Sequence, residues 1–92
     1  MRFKVVRICN SEANTCIPLD PVKFNLKRTA EELRKLDFQV DSKDLMIIAK
    51  KEGVEYTVYR TGKVLIHPMS KEKAKEAIEV FYPLCVEGSE DD

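Results

Sequence analysis

Tryptophan is absent from this 92-residue sequence, and glycine, proline and histidine are scarce, with three, four and one copies. The glycines are isolated, so no phosphate-cradling loop is present, and neither His-Glu-x-x-His nor Gly-x-Ser-x-Gly occurs. The single histidine, His67, has no acid partner identifiable from the sequence and reads as a strand-end residue before Pro68. No catalytic residue is assigned, no cofactor is implied, and an enzyme is the least supported class. Long apolar runs are also missing. Leu45 to Ala49 is the longest, far short of the roughly 20 residues a bilayer span needs. The start, Met1-Arg2-Phe3-Lys4, has no signal-peptide apolar stretch. These features predict a soluble, cytoplasmic protein without a membrane partner.

Sixteen basic residues balance sixteen acidic ones, but unevenly. The segment Glu87-Gly88-Ser89-Glu90-Asp91-Asp92 carries four acids and no base, which leaves residues 1–86 at +4. The expectation is one domain over 1–86 and a solubilising, disordered acidic tail over 87–92. A body at +4 hints at a polyanionic partner but lacks the strongly basic footprint of a dedicated nucleic-acid binder. An apolar fraction of 43% is enough to close one core in a chain of this length.

Three cysteines without a secretory signal point to a reducing compartment. Cys9 and Cys16 flank a polar stretch, Asn10 to Thr15, that reads as a loop. With Cys85 and His67 they offer the donors of a three-sulfur, one-nitrogen zinc site, although the Cys-x-x-Cys pair usual in such sites is missing. A Cys9–Cys16 disulfide and free thiols are the other readings, and free thiols are the expectation.

Phe3 to Cys9 mixes β-branched and charged residues over a strand's length. Asp20-Pro21 is a helix-start signal, followed by Val22, Leu26, Ala30 and Leu33 at helical spacing. Thr29-Ala30-Glu31-Glu32 is a second start of capping-box form, and the helix ends near Asp37. From Phe38 the period becomes two. Phe38–Asp41, Leu45–Ala49, Val54–Tyr59 and Lys63–His67 alternate, with Gly53 and Gly62 in the turns between the last three runs. Ser70 is an N-cap for a helix with Ala74, Ala77, Ile78, Phe81 and Cys85 on one face, and Pro83 ends it. The order is β-α-β-β-β-β-α, an α+β domain with an antiparallel sheet of about five strands and two helices on one face.

That order, with Tyr59-Arg60-Thr61-Gly62-Lys63-Val64-Leu65-Ile66 in the last hairpin and an alanine-rich amphipathic helix after it, resembles one repeat of the TATA-box-binding protein family. The stretch Thr29 to Phe81 is similar to small uncharacterised archaeal proteins with the same half-fold. They share a Leu-rich helix, an Ile-Ile-Ala-Lys strand and a Tyr-x-x-Gly-Lys/Arg-Val hairpin. The resemblance implies a curved sheet backed by two helices. It does not carry TATA-box recognition across, because the family has two repeats with Phe wedges on the sheet. Here there is one repeat, and Phe3, Phe24, Phe38 and Phe81 all lie off the hairpin strands. Similar half-repeats also serve as substrate-binding domains beside some bacterial ribonucleases H, which keeps a nucleic-acid platform open.

Two helices cover only one face of such a sheet, so the other must be solvated, covered or bound. A three-residue loop at Arg60-Thr61-Gly62 sets Val58 opposite Val64 and Tyr56 opposite Ile66. Val54, Tyr56, Val58, Val64 and Ile66 then face the helices, together with Leu45, Ile47 and Ala49. Met46, Ile48, Lys50, Glu55, Thr57, Tyr59, Lys63, Leu65 and His67 face outward. A one-residue slip would exchange the two sets. The expected site is the outward face, with Met46, Ile48, Tyr59 and Leu65 as an apolar patch edged by Lys50, Lys63 and His67. Its expected use is non-catalytic binding or assembly, most simply as a homodimer, with another protein or a peptide as a further partner, unless the loop 10–20 folds over it. Nucleic-acid binding through Tyr59, Lys50, Lys63 and Arg60 is the alternative, and a metal or redox site at Cys9, Cys16 and Cys85 a further one.

Overall fold

The computed structural model describes residues 2–8 and 12–88. It contains β1 (Phe3–Arg7), β2 (Asn14–Pro18), α1 (Leu26–Lys35), β3 (Gln39–Ser42), β4 (Met46–Lys51), β5 (Val54–Tyr59), β6 (Val64–His67) and α2 (Lys71–Phe81), closed by a 3₁₀ turn at Tyr82–Leu84. All strand pairs are antiparallel, in the order β1-β2-β6-β5-β4-β3. The class is α+β as expected, but the sheet has six strands. The additional one, β2, is the stretch read as a polar loop.

β2 pairs with β1 on one side and β6 on the other, and the amide nitrogen of its Asn14 finds a partner. Asn14 is fully buried, and its Nδ2 donates to the Met69 carbonyl at 2.7 Å, which offsets the cost of taking an amide out of water. Cys16 then points into the core opposite Val5 and Val64. Residues 12–18 therefore run along and within the sheet and do not fold over its outer face.

α1 starts at Leu26, later than Asp20-Pro21 suggests. Asn25 is its N-cap, accepting from the Arg28 N–H at 3.0 Å, while Asp20 is spent on an ion pair with Arg2 at 2.7 Å. Phe24 lies outside the helix, its N–H donating to the Arg60 carbonyl at 2.8 Å. Thr29, the second start signal, is inside the helix, where its buried Oγ1 accepts from the Val86 N–H at 2.9 Å. The end falls where expected. Asp37 takes a left-handed φ of 69°, and the Phe38 and Asp37 N–H groups donate to the Leu33 and Arg34 carbonyls at 3.1 and 3.2 Å, a Schellman closure. The Ser70 N-cap of α2 is present, its Oγ accepting from the Lys73 N–H at 3.3 Å.

Both helices lie on one face, α1 against β3 and β4 and α2 against β1 and β2. Leu26, Ala30 and Leu33 of α1 and Ala74, Ile78 and Phe81 of α2 meet Val5, Cys16, Ile47, Ala49, Val58, Val64 and Ile66 of the sheet. Tyr56 stacks on Phe81 with ring centroids 4.4 Å apart. Of the tail expected from Glu87 onward, Glu87 bridges to Phe24 and the Gly88 N–H donates to the Lys23 carbonyl at 2.8 Å; residues 89–92 lie outside the described residues. Among the described residues no helix is long and apolar enough to cross a membrane.

The two glycine turns differ in what surrounds them. Gly53, at φ +81°, has open space where a side chain would sit, whereas at Gly62, φ +95°, a Cβ would collide with Val22 and come within 2.9 Å of Pro18 Cγ. Gly53→Ala should cost about 1 kcal/mol from backbone strain alone. Gly62→Ala should cost about 2–4 kcal/mol, because overpacking is added to strain. Urea denaturation of the two variants measures the difference, and equal losses would mean that Gly62 is not packed against the 18–22 segment.

Candidate binding face

The register places the outward side chains. Val58 pairs with Val64 and Tyr56 with Ile66, as the turn lengths require, and Ile47 pairs with Val58. Val54, Tyr56, Val58, Val64, Ile66, Ile47 and Ala49 accordingly belong to the core or pack against it. Leu45 is the exception. It lies in the turn closed by the Lys43 N–H on the Met46 carbonyl, before β4 begins, and is 66% exposed.

The opposite face reads off the same pairs. One row runs across all six strands, Asp41–Ile48–Thr57–Leu65–Thr15–Val6. On one side of it Met46 pairs with Tyr59. On the other lie Gln39, Lys50, Glu55 and His67 in register. Met46, Ile48, Tyr59 and Leu65 are half-buried and Thr57 is buried by its neighbours. Ile17 and Thr15 extend the patch on β2, and Val6 and Ile8, 44% and 42% exposed, extend it on the β1 side. Reading 10–20 as a loop hid this half of the face. The alternation of Val6 and Ile8 with Val5 and Arg7 was the available signal.

The charges on this face are largely satisfied within it. Glu55 receives His67 Nε2 at 2.6 Å and Lys50 Nζ at 3.6 Å, a cluster spanning β4, β5 and β6. Lys63 Nζ sits 4.5 Å from the centroid of the Tyr59 ring and covers one side of it. Arg60, in the turn after β5, reaches the Asp44 carbonyl at 3.5 Å, at the end of the sheet and away from the central row.

The cysteines are not on this face. Cys16 lies on the core side and His67 on the outward side of the sheet, so the backbone separates those two of the four candidate zinc donors. Cys85, just after the 3₁₀ turn, is half-buried against the core, and Cys9 lies outside the described residues. Among the described residues no group of three His, Cys, Asp or Glu side chains is placed to hold a metal.

Cys16 and Cys85 are free thiols, each pushed up from 9.0 to about 12 by burial. At pH 8 this cuts the thiolate fraction about a thousandfold. Both thiols should resist alkylation in the folded protein and react at the rate of an unfolded chain once urea is added. A buried thiol raised above its unfolded value stabilises fully below pH 9, and that contribution is lost as pH climbs towards 12. Thermal melts should therefore fall above pH 9, and less steeply when both cysteines are replaced by alanine. Rapid labelling of Cys16 or Cys85 at pH 8 without denaturant, located by peptide mapping so that Cys9 is read separately, would contradict this.

No family model, curated protein or solved structure matches the chain.

Proposed function

We propose that this chain is a non-catalytic assembly module that pairs with a second copy of itself through the outward face of its sheet. The observation that carries this reading is the uninterrupted row Ile48–Thr57–Leu65–Thr15–Val6, flanked by Met46, Tyr59, Ile17 and Ile8. A contiguous apolar patch on an uncovered sheet marks an interface.

Its size and charge favour a second copy. Six strands spaced about 4.8 Å apart and about five residues long give a face of roughly 400–500 Å² in plan, against about 800 Å² of accessible surface per partner in a specific interface. Nearly the whole face must therefore be engaged, which a second sheet of the same twist achieves most directly by packing face to face. Lys4, Lys50 and Lys63 share this face with Asp41, which pairs with Lys43 at 3.3 Å, and with Glu55, whose cluster has already consumed part of the positive charge. A phosphate backbone would meet carboxylates on this face and find one side of the Tyr59 ring taken by Lys63.

The finer architecture belongs to the same proposal. The order β-α-β-β-β-β-α with both helices on one face resembles one repeat of the TATA-box-binding protein family, and β2 is an added strand after the first. Free thiols at Cys16 and Cys85 support a reducing, cytoplasmic setting. Sedimentation equilibrium tests the assembly. It should give twice the 10.6 kDa chain mass at tens of micromolar and fall towards the chain mass on dilution; a single-chain mass at every concentration would refute it.

A further inference from the structure

A second feature lies on the rim of the sheet. β1 is an edge strand, and its bonds to β2 involve alternate residues. The Leu19 N–H donates to the Arg2 carbonyl at 2.8 Å and the Ile8 N–H to the Ala13 carbonyl at 2.9 Å. Antiparallel ladders use every second residue in this way, so Lys4 and Val6 bond to β2 while the N–H and C=O of Phe3 and Val5 point off the sheet. Unused edge groups of this kind are what an added strand requires.

The edge opens to solvent along a broad cleft. It forms one wall of this cleft, of about 560 Å³, whose other wall is α2, with Lys71, Lys75 and Glu79 along it. These three are spaced i, i+4 and i+8 and share one side of the helix. At Phe3 and Glu79 the cleft meets a second one, of about 460 Å³, that continues past Tyr82 to Glu87. Phe3 alone of β1 lines the second cleft, so the trough along the strand is the first.

The charge of the trough selects an occupant. Arg2 is held by Asp20, but among the described residues Lys71 and Lys75 have no ion-pair partner and remain exposed. Their separation along the helix, about 6 Å, is close to the about 6.6–6.8 Å between alternate residues of a strand. Carboxylates at positions i and i+2 of an extended segment therefore match the two ammonium groups. A second copy pairing edge to edge would instead bring Lys4, Lys71 and Lys75 towards their own equivalents.

We propose that the β1 edge binds an extended acidic peptide segment of a partner protein as a seventh strand. The segment bonds to the backbone of Phe3 and Val5, turns alternate carboxylates to Lys71 and Lys75, and places apolar side chains on the side of Val6 and Ile8. This site borders the sheet face at Val6 and Ile8 but is held by the strand edge and by Lys71 and Lys75, which the face does not use, so each reading has its own test.

The test titrates a blocked heptapeptide of alternating valine and glutamate into the ¹⁵N-labelled full chain, with a valine–lysine peptide and an alternately N-methylated valine–glutamate peptide as controls. Binding should shift the Phe3 and Val5 amides downfield and slow their hydrogen exchange. The double variant Lys71→Glu, Lys75→Glu, at two exposed helix positions, should weaken binding about tenfold or more. Equal binding of the valine–lysine peptide, full binding of the N-methylated peptide, or no change at Phe3 and Val5 would each overturn the proposal. Shifts confined to Ile48 and Leu65 would overturn it as well, and would point to the sheet face instead.

Discussion

Lysine introduced at both Ile48 and Leu65 should abolish the proposed pairing and leave a folded monomer, weakening self-association at least about 100-fold, or roughly 3 kcal/mol. The two side chains occupy the same cross-strand row, separated by Thr57, so each dimer would bury four new ammonium groups at the centre of its interface without carboxylate partners. Such burial is strongly unfavourable. In the monomer both positions are only half-buried, and unfolding free energy should change by about 1 kcal/mol or less. Sedimentation velocity with parallel urea denaturation checks both halves. The same variant separates the competing use of the face, because two added lysines would strengthen a nucleic-acid platform while dismantling a dimer. Unchanged self-association would remove the face from the interface.

Truncating Phe24 to alanine should cost about 3–5 kcal/mol, a large share of the roughly 5–15 kcal/mol that holds a domain of this size. Phe24 is 1% exposed, and its ring lies 6.0 Å from that of Tyr82. Its backbone ties three parts of the chain together. The Phe24 N–H bonds to the Arg60 carbonyl in the β5–β6 turn, and Phe24 bridges to Glu87 near the chain end. The Tyr82 hydroxyl under the same ring donates to the Gly62 carbonyl at 2.9 Å and contacts the Cys16 carbonyl at 3.3 Å. A cavity there would loosen the turn that fixes the register of β5 and β6. Phe24→Leu, which keeps most of the volume, should cost about 1 kcal/mol. A loss below about 1 kcal/mol for the alanine variant would mean that the segment before α1 is peripheral to the core.

The meander from β4 to β6 was legible because local chemistry and tertiary need agree there. Gly53 and Gly62 carry the positive φ angles their turns demand, and period-two alternation between them fixes which side chains face inward. That register also implied a feature not drawn from it. With Val58 opposite Val64, three further pairs along the ladder set Glu55 opposite His67 on the outward face, the pair found 2.6 Å apart. β2 was illegible for a different reason. Asn14 and Thr15 have turn-like character, and only the Met69 carbonyl, 55 residues away in sequence, makes Asn14 a core residue. The start of α1 was misplaced because Asp20-Pro21 and Asn25 are rival caps. The ion pair of Asp20 with Arg2 and the bond of Phe24 to Arg60 decide between them through distant contacts. The outward patch was half visible, since its β4–β6 part follows from the turns and its β1–β2 part depends on recognising β2.

Assembly through the outward face is tested most directly by an isotope-filtered nuclear Overhauser experiment on an equimolar mixture of labelled and unlabelled chains. Face-to-face pairing requires intermolecular contacts between methyl groups of Ile48, Leu65, Ile17 and Val6 of one copy and the same set of the other. Intermolecular contacts at other surfaces, or none at concentrations above a hundred micromolar, would contradict it.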